Sequence, residues 1–205
     1  MVAGSPLSEL QPPTKAALEV YTIGHSNVPL GRIVELLREC RIDIVIDVRS
    51  IPYSRNASQF NREALADELA KAGLGYRFAG TILGGRPSDP GCYIEGRLPS
   101  GKANYLAAVN YDEVAKRDWY QRGIRRVMEL AGRHRVAVLC SEEDPYRCHR
   151  HHLIARSLHM LGVNAWHIRG DGTRELATFE RQAESQARKS EVVRQLMLFA
   201  SEDGR

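Results

Sequence analysis

Residues 136–140 place Val, Ala, Val, Leu and Cys in unbroken succession, and Ile44-Val45-Ile46 does the same inside the β-branched run 42–48. A strand with one face in water alternates apolar and polar residues. One that is apolar throughout has to be covered on both faces, as in a parallel sheet between layers of helices. That condition constrains the fold more than any other feature of the 205 residues.

The rest of the chain fits the same arrangement. Residues 19–23 form a short β-type run ending in Gly24-His25-Ser26-Asn27, after which Pro29 can open a helix with Ile33, Leu36 and Leu37 on one face. The run 42–48 is followed by a loop over 49–61 and a helix around 62–72, which Gly73 and Gly75 stop. Residues 76–79 suit a third strand. Residues 80–102, with Pro87, Pro90 and Pro99, show no sustained period and are expected to be a long loop, a candidate lid over a site. A helical stretch at 111–132 precedes the strand at 136–140, a helix fits 149–161, a strand fits 164–168, and a polar helix is expected over 175–199. The expected organisation is an irregular leader (1–17), one α/β domain (18–174), and a C-terminal helix and tail (175–205). The domain is a three-layer α/β fold with a mainly parallel sheet and helices on both faces.

Composition narrows the setting. The hydrophobic fraction of 43% suffices for one core, and no apolar stretch is long enough to span a bilayer. Residues 1–13 lack a basic region followed by an apolar core, so a cytoplasmic protein with reduced thiols is expected. The net charge of +4 is spread along the chain, which permits an anionic or nucleic-acid partner without requiring one.

In a parallel sheet, ligands bind outside the carboxyl ends of the strands, and three such ends carry unusual residues. The first carries His25 and Ser26, the second Asp47, Arg49 and Arg55, the third the segment from Cys140 through Glu142 to Cys148, His149 and Arg150. Cys140 at a strand end and Cys148 at a helix start can each supply a nucleophile, with Arg150 stabilising the thiolate or an oxyanion. His25 or His149 can move a proton near neutral pH. Asp47 calls for a partner when buried, and Arg49 lies two residues away. Cys148 and His152, four apart on a helix, with Cys140 or His25, form an alternative metal set whose spacing matches no standard zinc pattern. His151, His152 and His159 are expected on the helix surface. Leu83-Gly84-Gly85 could let backbone approach a ligand.

Taken in order, residues 21–27, 46–55, Leu83-Gly84-Gly85 and 139–150 resemble the DUF488 family of uncharacterised bacterial and archaeal proteins, over about residues 19–170. The resemblance implies a three-layer α/β domain. It marks His25, Asp47, Arg49, Arg55, Cys140, Glu142, Cys148, His149 and Arg150 as signature positions. Ile46-Asp47-Val48-Arg49 is also similar to a segment of rhodanese-like sulfurtransferases, but the Cys140 to Cys148 loop lacks their compact cysteine-to-arginine cradle, so that active site is not carried over.

The expected function is an enzyme, a hydrolase or transferase, acting on a small anionic substrate, phosphorylated or nucleotide-like. Cys148 or Cys140 would be the nucleophile and His25 or His149 the acid–base, with Asp47 in the catalytic set. Arg49, Arg55, Arg150, Ser26 and Glu142 would contact the substrate. No cofactor is expected. A nucleic-acid-binding module without covalent chemistry and a metalloprotein with Cys/His ligands are the two alternatives.

Overall fold

The computed structural model of the protein describes residues 17–100 and 103–179. In chain order the strands and helices are β1 (Glu19–Gly24), α1 (Leu30–Glu39), β2 (Ile44–Asp47), α2 (Arg62–Lys71), β3 (Gly75–Phe78), α3 (Gly80–Leu83), α4 (Tyr105–Ala108), α5 (Tyr111–Lys116), α6 (Asp118–Ala131), β4 (Val136–Cys140), α7 (Arg156–Met160), β5 (Asn164–Ile168) and β6 (Arg174–Leu176). The strands form one sheet in the order β3-β2-β4-β1-β5-β6. All neighbours are parallel except β6, which runs antiparallel to β5 at the edge.

The unbroken apolar runs have the expected cause. Ala137 and Leu139 of β4 face a core with Ile33, Leu36 and Leu37 of α1 and Leu65 and Leu69 of α2. Val136, Val138 and Cys140 face the opposite core, with Ile124 and Val127 of α6 and Leu153, Ile154 and Leu158. Every residue of β4 is therefore buried, whichever way its side chain points. The result is the three-layer α/β architecture. Among the described residues no helix is long and apolar enough to cross a membrane.

Four local expectations change. The helix expected over 111–132 is two helices, because Arg117 leaves the helical region at ψ 133° and commits its guanidinium to Asp89, Nε to Oδ2 2.8 Å. That ion pair also ties down the stretch read as a lid. Cys92 and Tyr93 of that stretch are buried in the core, and the Tyr93 hydroxyl donates to the Pro87 carbonyl at 2.7 Å, so residues 87–93 are anchored to the body of the domain. The helix expected over 149–161 opens as a π-helix, Arg150–Ala155, before becoming α7. Finally, β6 takes residues 174–176, the last residue of the expected domain and the first two of the segment expected to be a C-terminal helix. Its backbone finds ladder partners on β5, which local periodicity cannot reveal. The remainder of that helix from residue 180, and the leader up to residue 16, lie outside the described residues.

Candidate active site

The sheet places the site. β2 and β4 are neighbours, but the chain leaves β2 for β3 on one side and leaves β4 for β5 on the other. The connections diverge there and open a crevice beyond the strand ends, the position at which open α/β sheets bind ligands. A cleft of about 270 Å³ lies at that point. Its lining includes Arg49 and Ser50 after β2, Cys140 and Ser141 at the end of β4, and Cys148 and His149. Gly85, Arg86, Tyr105, Tyr111 and the exposed Arg147 also line it.

The two cysteines and one histidine form a compact unit. The sulfurs of Cys140 and Cys148 each lie 3.7 Å from His149 Nδ1. His149 Nε2 is 3.1 Å from the Leu83 carbonyl oxygen, which can only accept, so Nε2 carries the proton and Nδ1 presents its lone pair to the thiols. Gly85 closes the other side of the ring: a Cβ there would stand 2.7 Å from both Cγ and Nδ1 of His149. The glycine pair after Leu83 thus lets the chain press against the imidazole.

The two thiols differ in acidity. The neighbouring Cys140 thiol, sharing its proton with Cys148, draws the Cys148 pKa well below the ordinary thiol value, and His149 and Arg150 act in the same direction against burial. Cys140 moves well above the ordinary value because its proton is held by Cys148 and because it is fully enclosed. Once the Cys148 proton has passed to Nδ1, the thiolate faces an imidazolium whose other nitrogen the Leu83 carbonyl holds, an activated-nucleophile arrangement. The same three donor atoms lie within 4.8 Å of one another, a spacing that could hold a metal ion. His152, expected in the metal set, instead points its Nε2 at the Tyr146 carbonyl, 2.7 Å away.

Arg49 is held from behind. Its Nε and Nη2 donate to Asp47 Oδ1 and Oδ2 at 2.9 and 2.6 Å, and Tyr76 donates its hydroxyl to Oδ2 at 2.7 Å. The third contact is His25. Nδ1 of His25 donates to the Ser26 carbonyl at 3.1 Å, which leaves Nε2 free to accept from Arg49 Nη1 at 3.3 Å. Desolvation lowers the His25 pKa to about 4, so the ring, stacked on Phe60, is neutral at physiological pH. Asp47 and His25 thus orient Arg49 and do not themselves line the cleft.

Other expected site residues are placed differently. Arg150 is fully buried, and its Nη1 and Nη2 donate to the carbonyl oxygens of Glu142 and Glu143. It clamps the loop after β4 from below and lends its charge to the thiols. The clamp comes so close that a Cβ on Gly24 would meet Glu142 O at 1.7 Å. The exposed Glu142 side chain is at the cleft rim. Ser26, with φ 35°, uses its N–H on the Ser141 carbonyl, and Arg55 is exposed on the β2 loop; neither lines the cleft.

Sequence reasoning missed Arg86, Arg147, Tyr105, Tyr111 and Ser50. Arg147, one residue before Cys148, and Arg86, directly after the glycine pair, were readable as neighbours of motifs. The tyrosines carried no local signal. Arg86 lies over the Tyr105 ring, 4.5 Å from its centroid. Among the described residues neither Arg86 nor Arg147 forms an ion pair, so the mouth carries these two arginine charges beside the single carboxylate of Glu142. His151, expected on the surface, is buried, with Nδ1 3.0 Å from Nε2 of the buried His167.

The fold and the cleft define an α/β protein with a two-thiol, one-histidine centre at the switch point of a parallel sheet. The chain belongs to the DUF488 family, whose model, described as a domain of unknown function, matches residues 29–157. That span takes in every cleft residue named above. No curated protein and no solved structure matches the chain.

Proposed function

We propose that the protein is a thiol-dependent enzyme, a transferase or hydrolase, acting on a small anionic substrate with Cys148 as nucleophile and His149 as its base. The observation that carries this reading is the contact of Cys148 Sγ with His149 Nδ1 while Nε2 is held by the Leu83 carbonyl. Arg49, pre-oriented by Asp47, and the unpaired Arg86 and Arg147 supply the charge that selects an anion and stabilises an oxyanion. The test is alkylation by iodoacetate and iodoacetamide with mass mapping. Cys148 should be labelled first and below the pH at which ordinary thiols react, about 8.5. Arg86→Ala with Arg147→Ala should slow iodoacetate about tenfold more than iodoacetamide. A Cys148 that stays unlabelled in the folded protein would remove the reading.

A second reading is favoured by the same donor set. Each sulfur lies 3.7 Å from the imidazole nitrogen, close to the sulfur–nitrogen separation of a tetrahedral zinc site, about 3.5 Å, and all three atoms are within 4.8 Å of one another. The fourth position would open on the cleft, and the Leu83 carbonyl would orient the histidine as an outer-sphere partner. Elemental analysis of untagged protein decides it: one equivalent of metal, lost in Cys140→Ser, supports it.

A further inference from the structure

A single cysteine nucleophile needs one thiol, and this cleft holds two. Cys140 closes the central strand β4, and Cys148 follows a short 3-10 turn, Pro145–Arg147. Both line the cleft, and both sulfurs stand at the same 3.7 Å from His149 Nδ1. All three atoms lie within 4.8 Å of one another, so the two sulfurs are near neighbours in the same cleft, against a disulfide bond of about 2 Å. One base within reach of both thiols can serve them in turn. For acyl or phosphoryl transfer the second thiol adds nothing. It gains a role when the adduct formed on the first is itself a sulfur–sulfur bond.

We infer that Cys140 is a resolving thiol and that the substrate class is an anionic disulfide, reduced at the Cys148–Cys140 pair. This rests on the reading of Cys148 as nucleophile and takes the group it receives to be the R–S of a substrate disulfide. In the first step the Cys148 proton passes to His149 Nδ1, and the thiolate attacks one sulfur of R–S–S–R. A Cys148–S–S–R bond forms, the substrate bond breaks, and the departing RS⁻ takes the proton from His149. In the second step His149 accepts the Cys140 proton, and the Cys140 thiolate attacks the Cys148 sulfur. The mixed disulfide breaks, and the second RS⁻ leaves with the proton. The protein is oxidised by two electrons to a Cys140–Cys148 disulfide while the substrate is reduced to two thiols. Two equivalents of a small-molecule thiol restore the dithiol by the reverse exchange. Arg86 and Arg147, unpaired among the described residues, account for the preference for an anionic R group.

The remaining thiols provide an internal control. Cys40 and Cys92 are buried apart from the cleft and should stay reduced. Dithiobis(nitrobenzoate), an anionic disulfide, is added to the native full chain at neutral pH, and thionitrobenzoate release is followed by absorbance, with intact and peptide masses. The native chain should release two equivalents, retain none, and lose the mass of two hydrogens, mapped to Cys140–Cys148. Cys140→Ser should release one equivalent and keep one on Cys148. Cystamine, a cationic disulfide, should react at least about tenfold more slowly. A native chain that holds a stable thionitrobenzoate on Cys148 with no internal disulfide overturns the resolving role and leaves the nucleophile reading intact. Reaction only in urea, or only after a chelator is added, overturns both.

Discussion

At Gly85 one hydrogen atom lies where any other residue would place a carbon against the His149 ring. Gly85→Ala is expected to displace the imidazole from the thiols, so that iodoacetamide labelling of Cys148 at neutral pH falls about a hundredfold, the lower end of the range for losing a positioned base. The mass-mapped rate checks it; an unchanged rate would mean His149 does not activate Cys148. Asp47 and Arg49 make a different kind of prediction. The carboxylate is wholly buried and the guanidinium nearly so. Asp47→Asn leaves that guanidinium without its counter-charge and should cost about 3–5 kcal/mol in urea unfolding. Tyr76→Phe removes one hydrogen bond to the carboxylate and should cost about 1–2 kcal/mol. The Asp47–Arg49 pairing was legible in the sequence because the two residues lie two apart in the motif and a buried carboxylate requires a partner. The role of His25 was not, since whether a histidine after a strand serves as a base or as a prop for an arginine depends on which side chain meets its second nitrogen.

Among the elements, β4 carries the most. Among the described residues it is the only strand with a residue in the thiol centre, and Leu139, fully buried, packs between α1 and α2 on the opposite face. Leu139→Ala should lower stability by about 2–5 kcal/mol, read from the urea midpoint, and should leave the Cys148 alkylation rate of the remaining folded protein within about twofold. The strands were legible from their apolar runs because burial on both faces leaves a local mark. The π opening of the last described helix left none. Apolar spacing over 149–161 fits an ordinary helix, whose register puts His151 on the surface, whereas the wider turn buries His151 beside Tyr146 and His167. The break between α5 and α6 was hidden for a similar reason: Arg117 is an ordinary helix former, and its departure answers to Asp89, far away in the chain.

The whole molecule has a pH dependence written into its interior. Desolvation, the largest cause in each case, lowers the pKa of His25 and His151 to about 4 and of His167 to about 3. His167 is further enclosed by the Thr22 hydroxyl, 2.7 Å from its Nδ1. Below the unfolded value of about 6.5 the unfolded chain binds protons that the native chain refuses, so stability is full above that pH and declines as pH falls towards the native values. Each histidine contributes a slope of at most about 1.4 kcal/mol per pH unit. Urea unfolding between pH 7 and 5, above the range where ordinary carboxylates titrate, about 4, should therefore show a steep loss. Equal midpoints across that interval would show that these imidazoles are solvated in solution.

Taken alone, the order of apolar runs and helical periods determined the layered α/β fold, the parallel sheet and the strand ends at which chemistry collects, because burial and period are imposed locally on consecutive residues. It also marked Cys140, Cys148, His149 and Arg49 for the cleft. Tertiary structure alone decided which marked residues face the ligand space and which serve from behind. Arg150 turned inward to clamp carbonyls, His25 and Asp47 became the support of Arg49, and Arg55 stayed on the outer loop. It also supplied Arg86, Tyr105 and Tyr111 from segments distant in the chain. The physical reason is that a side chain's partner is set by which strands lie side by side, and the divergence of the β2 and β4 connections is a property of the assembled sheet that no stretch of residues carries by itself.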